Sequence, residues 1–379
     1  MAACSRRVRR GAALTLVFGV VLLGGVVAGG RDGGGPSLDR RAFDCCGDRW
    51  AARYSPEDYA EFAQGLAGEY LGVGLSVERA PDGATLVSQV RPGGPAAGAG
   101  LAVGDRLLAV DGTAADPLPV TEVVARLRGR AGPWLGRGRA AGPGTSVLLT
   151  VGHRDGPPRQ VTLCRTVLAT QDVTADRPAT GVLRITVRAF TSGVGEQIRQ
   201  AVRTAAGPPS RRGVVLDLRG NSGGLVAEAV AAASVFLDGG PVASYRSGGE
   251  QRELAATPGG DTRTPLVVLV DGGTMSAAEL LTGALQDRCR AVVVGSRTFG
   301  KGTVQQPSRL ADGSVLELTV GHYLTPDGRS PDGTGLLPDV VAADPGQAGQ
   351  LALRVLAGLG GGPGGAGKAA ADHAAEVRE

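Results

Sequence analysis

Histidine is scarce in this chain, with three residues in 379, and the shortage removes the commonest general base from most of the molecule. His153 falls in a β-rich stretch, His322 on a late strand and His373 in the tail. None lies on the strand-end loops identified below, so a Ser-His-Asp triad has no support. Aromatic residues make up only 3% of the chain, and no basic face is interleaved with them, which argues against nucleic-acid binding. The formal charge is a mere +4, part of it in the first ten residues. Cysteine is too sparse for a framework: Cys4 stands near the N-terminus, Cys45 and Cys46 are adjacent, and Cys164 and Cys289 are isolated. No cluster of cysteine and histidine has zinc-site spacing, so neither a metal nor a cofactor is expected.

Long hydrophobic runs are also lacking, with one exception. "GAALTLVFGVVLLGGVVAG", residues 11–29, is an uncharged run of 19 residues behind Arg6, Arg7, Arg9 and Arg10. Val26-Val27-Ala28 suits signal peptidase, and the length approaches the roughly 20 residues that span a bilayer. The run therefore fits a cleaved export signal and a retained anchor equally. Either way the arginines stay inside and everything after residue 30 is expected outside the cytoplasm, in a bacterial envelope, anchored or secreted. Membrane contact is expected only through this segment, if it is uncleaved.

The chain as a whole is rich in glycine, 63 residues. "GGRDGGGPS" reads as a flexible linker. "SPEDYAEFAQGL" has a serine cap, a proline at the first helical position and two acids, and predicts a helix. From Tyr70 to about residue 166 short alternating strands are broken by glycine turns, with one amphipathic helix in "VTEVVARLRG". "AGPWLGRGRAAGPG", residues 131–144, reads as an inserted loop. From about residue 180 strands alternate with helices: "GVLRITV", "GVVLDL", "PLVVLV" and "RAVVVG" are strands, and "SAAELLTGALQD" is the helix between the last two. Such alternation predicts an α/β core with a largely parallel βαβ sheet. The expected division is a signal or anchor (1–30), a linker and helical segment (31–68), a β-rich domain (69–166), the α/β core (167–345) and a disordered tail (346–379).

Ligands bind at the carboxyl ends of parallel strands, and three strands of the core end in unusual loops. These are "RGNSGG", "DGGTMS" and "SRTFGKG". A right-handed crossover between strands 265–270 and 291–295 would put their ends on one rim, about 5 Å apart if adjacent. Ser276 and Lys301 then approach each other although 25 residues separate them. Ser276 with Glu279 also fits a helix capping box, and Glu279 is expected in that role. A serine hydroxyl is a weak nucleophile until a neighbour takes its proton. A buried lysine can serve as that base, because burial lowers its pKa. Gln305 is placed to hold the amine without adding charge. Two N–H donors must receive the oxyanion: Ala277, just after the serine at a helix N-terminus, and Gly223, in a glycine pair that permits close approach.

These residues resemble the C-terminal processing peptidases, or tail-specific proteases. "GVVLDLRGNSGG", "TMSAAELLTGALQDRCRAVVVGSRTFGKGTVQ" and "TPDGRSPDGTGLLPDV" are similar to that family's ordered motifs, and the likeness runs from about Asp48 to Asp339. The resemblance implies a ClpP/crotonase-like core, with Ser276 as nucleophile, Lys301 as general base and Gln305 as its orienter. The chain departs from the usual pattern at Thr274, Met275 and Ala278 beside the serine. "RPGGPAAGAGLAVGDRLLAVDG" resembles a PDZ domain, and "YLGVGL" its carboxylate-binding loop, with Leu71, Gly72, Val73 and Gly74. That implies protein substrates with exposed apolar C-termini. Self-association is compatible with the sequence. The rival expectation is a non-catalytic PDZ scaffold that binds tails and carries an inert core.

Overall fold

The computed structural model describes residues 48–129, 141–153, 156–177, 181–205, 213–247 and 250–359. The apolar run at 11–29, the linker after it, most of the 131–144 loop and the tail beyond residue 359 lie outside these residues. Among the described residues no helix is long and apolar enough to cross a membrane. The chain divides into two compact units, one formed by residues 54–171 and the other by residues 1–53 with 172–379.

The 54–171 unit is β-rich. Its main sheet joins Leu75–Arg79, Thr85–Val90, Arg106–Val110, Ser146–Gly152 and Arg159–Cys164 in that order, with Thr113–Ala114 beside Arg106–Val110. Glu69–Gly72 pairs antiparallel with Thr166–Ala169. Alternation explains why these segments are strands. In Ser146–Gly152, Val147, Leu149 and Val151 are fully buried, while the residues between them face outward. They meet Leu107, Val110, Val123 and Leu127 in one core, so helix Val120–Leu127 buries its apolar stripe against the sheet. Ahead of it, helix Pro56–Leu66 starts as its sequence predicts, with Ser55 Oγ accepting the Asp58 amide at 3.0 Å.

The second unit holds a six-stranded sheet in the order Val173–Asp176, Val182–Val187, Gly213–Asp217, Leu266–Val270, Val292–Gly295 and Val340–Val341. The first pair is antiparallel and every later pair is parallel. Gly213–Asp217 and Leu266–Val270 are buried at every position, which is why they read as unbroken apolar runs. Helices Val194–Thr204, Val226–Phe236 and Ala277–Asp287 contribute to one core cluster with the sheet, while Ala348, Ala352 and Leu356 of helix Ala348–Leu359 join a second. Residues of that last helix were expected to be disordered from 346 onward, but its leucine and alanine stripe finds apolar strand residues to cover. A separate antiparallel sheet contains Pro241–Ser247, Glu250–Ala255, Thr303–Arg309 and Val315–Leu324.

Candidate active site

The ends of strands Gly213–Asp217, Leu266–Val270 and Val292–Gly295 are tied together by their own loops. Leu218 N–H donates to Leu269 O at 2.9 Å, and Met275 N–H to Asn221 O at 2.8 Å. Thr274 Oγ1 donates to Leu218 O at 2.9 Å, and Phe299 N–H to Thr274 O at 3.0 Å. The register places Leu216 beside Val268 and Val268 beside Val293. The three loops singled out in the sequence thus meet in one place.

Ser276 stands at the N-cap of helix Ala277–Asp287 with φ 56° and ψ −117°. This is left-handed backbone at a residue with a Cβ, a conformation that costs about 1–3 kcal/mol and persists only where its surroundings enforce it. The enforcement comes largely from Glu279, which is fully buried. Its Oε2 accepts the amides of Ser276 at 3.0 Å and Lys301 at 2.8 Å. Its Oε1 accepts the Gly300 amide at 2.8 Å and the Thr298 hydroxyl at 2.5 Å. Burial pushes the Glu279 carboxyl up, and those four donors pull against it. Only the Glu279 half of the capping box forms, at the Ser276 amide; Ser276 Oγ is buried and makes no hydrogen bond. Tyr323 Oη donates to Ser276 O at 3.0 Å.

Lys301 is 1% exposed. Burial brings its pKa down from 10.5 to about 8, against the opposing pull of Glu317 and Asp48. A buried amine that close to neutrality is a competent proton acceptor. Gln305 is buried as well. Its Nε2 donates to Thr303 Oγ1 at 2.7 Å and Thr319 Oγ1 at 3.2 Å, while its Oε1 makes no hydrogen bond. The expected grip of Gln305 on Lys301 is therefore not made in this structure, although the acceptor it requires is open.

The two expected oxyanion donors differ. The Ala277 N–H has no acceptor among the described residues. The Gly223 N–H is committed to Asn221 Oδ1 at 2.8 Å, because the turn closes on its own asparagine. Gly223 is nonetheless packed on the serine. A Cβ at this φ +99° glycine would lie 3.0 Å from Ser276 Cβ and 3.1 Å from Ala277 N.

In the 54–171 unit, Leu71 and Gly72 close strand Glu69–Gly72, and Val73 and Gly74 follow it. Val73 O accepts the Ala96 amide at 2.9 Å and Gly74 O the Arg91 amide at 2.8 Å. The carbonyls of the loop are thus occupied, while among the described residues the amides of Val73 and Gly74 have no acceptor. Paired free amides are what a terminal carboxylate requires. Gly74 has φ +77°.

Sequence reasoning missed the part played by Glu279 beyond a cap, and missed Asp48, Asn221 and Thr319 altogether. One signal was available for the lysine: of 40 basic residues only two, Lys301 and Lys368, are lysines. Among the described residues no group of acidic, histidine or cysteine side chains could hold a metal ion. Cys164 and Cys289 are free and exposed.

Residues 180–342 match Peptidase family S41, and residues 86–133 match a PDZ domain. The chain is 33% identical over 296 residues to a carboxyl-terminal-processing protease of Synechocystis sp., a match covering 76% of this chain and 66% of that one. It is 33% identical over 293 residues to the chloroplastic carboxyl-terminal-processing peptidase 2 of Arabidopsis thaliana, covering 75% and 56%. It superposes on the solved photosystem II D1 C-terminal processing protease with a TM-score of 0.50 and 31% identity, over 81% of each chain. The chain spans between about half and two thirds of the length of these curated relatives.

Proposed function

Because the chain belongs to the carboxyl-terminal-processing peptidases of Peptidase family S41, we propose that it is a serine endopeptidase acting through Ser276 and Lys301. The observation that carries this reading is the Glu279 carboxylate. One buried side chain accepts the amides of both Ser276 and Lys301, beside a lysine whose pKa falls to about 8.

The chemistry runs as acyl transfer. The neutral Lys301 amine takes the proton of Ser276 Oγ as the oxygen attacks the scissile carbonyl carbon. The oxyanion receives the Ala277 N–H at the helix N-terminus. Gly223 supplies a second N–H only in exchange for its bond to Asn221. The ammonium then protonates the leaving amine, the C–N bond breaks, and an acyl-Ser276 ester remains. Lys301, neutral again, takes a proton from water as its oxygen attacks the ester carbon; the Ser276 Oγ–acyl bond then breaks and the ammonium returns the proton to Ser276 Oγ. Gln305 Oε1 orients the amine through both steps.

In the same reading the 54–171 unit is a PDZ module. It takes the apolar C-terminus of a protein substrate on the free amides of Val73 and Gly74, with Leu71 and Gly72 shaping the loop. The core is of the ClpP/crotonase-like kind, in keeping with its parallel strands. The apolar run at 11–29, behind its arginines, supports a location outside the cytoplasm, anchored or secreted.

The test is incubation of an unfolded protein with an apolar tail, followed by mass spectrometry of the fragments. Ser276→Ala and Lys301→Ala should each reduce cleavage by at least about 10⁴-fold while circular dichroism stays native. Unchanged turnover in either variant removes the dyad. An intact substrate with wild-type protein, together with measurable binding of the tail, leaves the scaffold reading in its place.

A further inference from the structure

Among the described residues the Lys301 amine has an aromatic ring beside it and no hydrogen-bond acceptor. Its Nζ lies 4.8 Å from the centroid of the Trp50 ring, within the range at which an indole attracts a cation. With Lys301 almost fully buried, that attraction acts with little water to screen it.

Trp50 is fixed from several directions within its unit. Asp48 Oδ1 accepts the Trp50 amide at 3.0 Å. The same carboxylate takes the Thr319 amide at 2.7 Å and the Thr319 hydroxyl at 2.9 Å. Arg49 pairs with Asp332 at 2.8 Å, and its guanidinium carbon lies 5.0 Å from the Trp50 ring centroid. The Phe299 ring is 6.0 Å away at 55°. Thr319 Oγ1 also accepts Gln305 Nε2 at 3.2 Å. The chain Asp48–Thr319–Gln305 thus fixes the amide of Gln305 with its nitrogen spent and its Oε1 uncommitted.

Both partners a catalytic amine needs are therefore open, Ser276 Oγ and Gln305 Oε1, while the amine itself sits at the indole. Resting on the peptidase reading above, we propose that Trp50 is a positioning residue. Its ring is the seat that holds the protonated Lys301 side chain away from Ser276 and releases it on deprotonation.

The physical reason is selectivity for charge. The ring quadrupole attracts an ammonium and has no comparable hold on a neutral amine. Loss of the proton and release from the seat are then one event, and the freed amine turns to Gln305 Oε1 and Ser276 Oγ. Other charged and titratable groups surround Lys301. Glu317 and Asp48 favour its ammonium, and Glu279 accepts its backbone amide. Asp332 accepts the Gly302 amide at 3.2 Å, with His322 3.7 Å from that carboxylate. Arg49 lies over the same indole, and Tyr323 reaches the Ser276 carbonyl. All of these groups stay in the chain when Trp50 is changed; Trp50→Leu also takes the ring from under Arg49, whereas Trp50→Phe keeps an aromatic face there.

The experiment uses the full chain labelled with [¹³Cε]lysine. Only Lys301 and Lys368 give signals, so Lys301→Met assigns them and Lys368 is an internal control. Trp50→Leu keeps an apolar cover and removes the ring, whereas Trp50→Phe keeps a ring. In Trp50→Leu the Lys301 titration should move down by about one pH unit, roughly tenfold in its protonation constant, and the acid limb of kcat/KM should move with it. In Trp50→Phe both should move by less than half as much. An unchanged or raised Lys301 midpoint in a folded Trp50→Leu protein overturns the proposal, as does a Trp50→Phe shift equal to that of Trp50→Leu. If the wild type cleaves nothing, yet the Lys301 titration shifts as stated in Trp50→Leu and Trp50→Phe, the peptidase reading is overturned and the seat is upheld.

Discussion

Asp111 in the 54–171 unit and Ser276 in the other unit both have positive φ, 47° and 56°. Asp111 precedes Gly112 in a two-residue turn between Arg106–Val110 and Thr113–Ala114. Its own side chain repays the conformation, since Oδ1 accepts the Leu148 amide at 2.9 Å. Aspartate followed by glycine is what such a turn selects. The Ser276 side chain repays nothing, because its hydroxyl bonds to no group; its backbone is held instead by Glu279 at the amide and Tyr323 at the carbonyl. The same contrast runs through the two interiors. Buried polar side chains in the 54–171 unit are Thr85, Asp105 and Arg165. The other unit buries Asp217, Asn221, Ser276, Glu279, Lys301, Gln305 and Glu317, among others. One unit is put together to be satisfied, and the other keeps costly groups where its parallel strands end and on its antiparallel sheet.

Removing the compensation should break that contrast most visibly. Glu279→Ala leaves four buried donors without their acceptor, and we expect a loss of about 4 kcal/mol in urea unfolding; a loss under about 1 kcal/mol would show that Glu279 does not enforce the site. The next effect is pH-dependent. Lys301 has a folded pKa of about 8 against an ordinary 10.5, so between those values the unfolded chain binds more protons than the folded one. Stability of the wild type should rise relative to Lys301→Met by about 3 kcal/mol as pH goes from below 8 to above 10.5. A flat difference between the two proteins, by unfolding at pH 7 and pH 10, would mean that the amine is not desolvated. The smallest pair sharpens the comparison directly. Ser276→Gly should raise stability by about 1 kcal/mol as it relieves the backbone, whereas Asp111→Gly, which also loses a hydrogen bond, should not gain. Equal shifts in the two melting temperatures would erase the distinction.

Much of this was legible because the signals were local. The core strands expected at 214–218, 265–270 and 291–295 are Gly213–Asp217, Leu266–Val270 and Val292–Gly295, since full burial leaves unbroken apolar runs. The helix after Ser276 spans Ala277–Asp287, as its alanines and leucines require. Strand Glu250–Ala255 was illegible for the opposite reason. "EQRELA" is exposed at almost every position and is a strand only because Pro241–Ser247 pairs with it. The site divides in the same way. Ser276 and Lys301 announce themselves through glycine-rich loops at strand ends. Trp50 is 251 residues from Lys301, and no periodicity links them. The state of Gly223 was hidden too, because the sequence does not say that Asn221 closes the turn on its amide.

The Glu279 carboxylate has a consequence for the life of the chain before it is folded. Its four donors come from the segments at 276 and 298–301, and it reaches them only once it is buried in the finished core. A nascent or partly unfolded copy therefore has a serine and a lysine but no pairing between them. In the proposed reading, catalysis therefore depends on a buried carboxylate that only the folded core assembles.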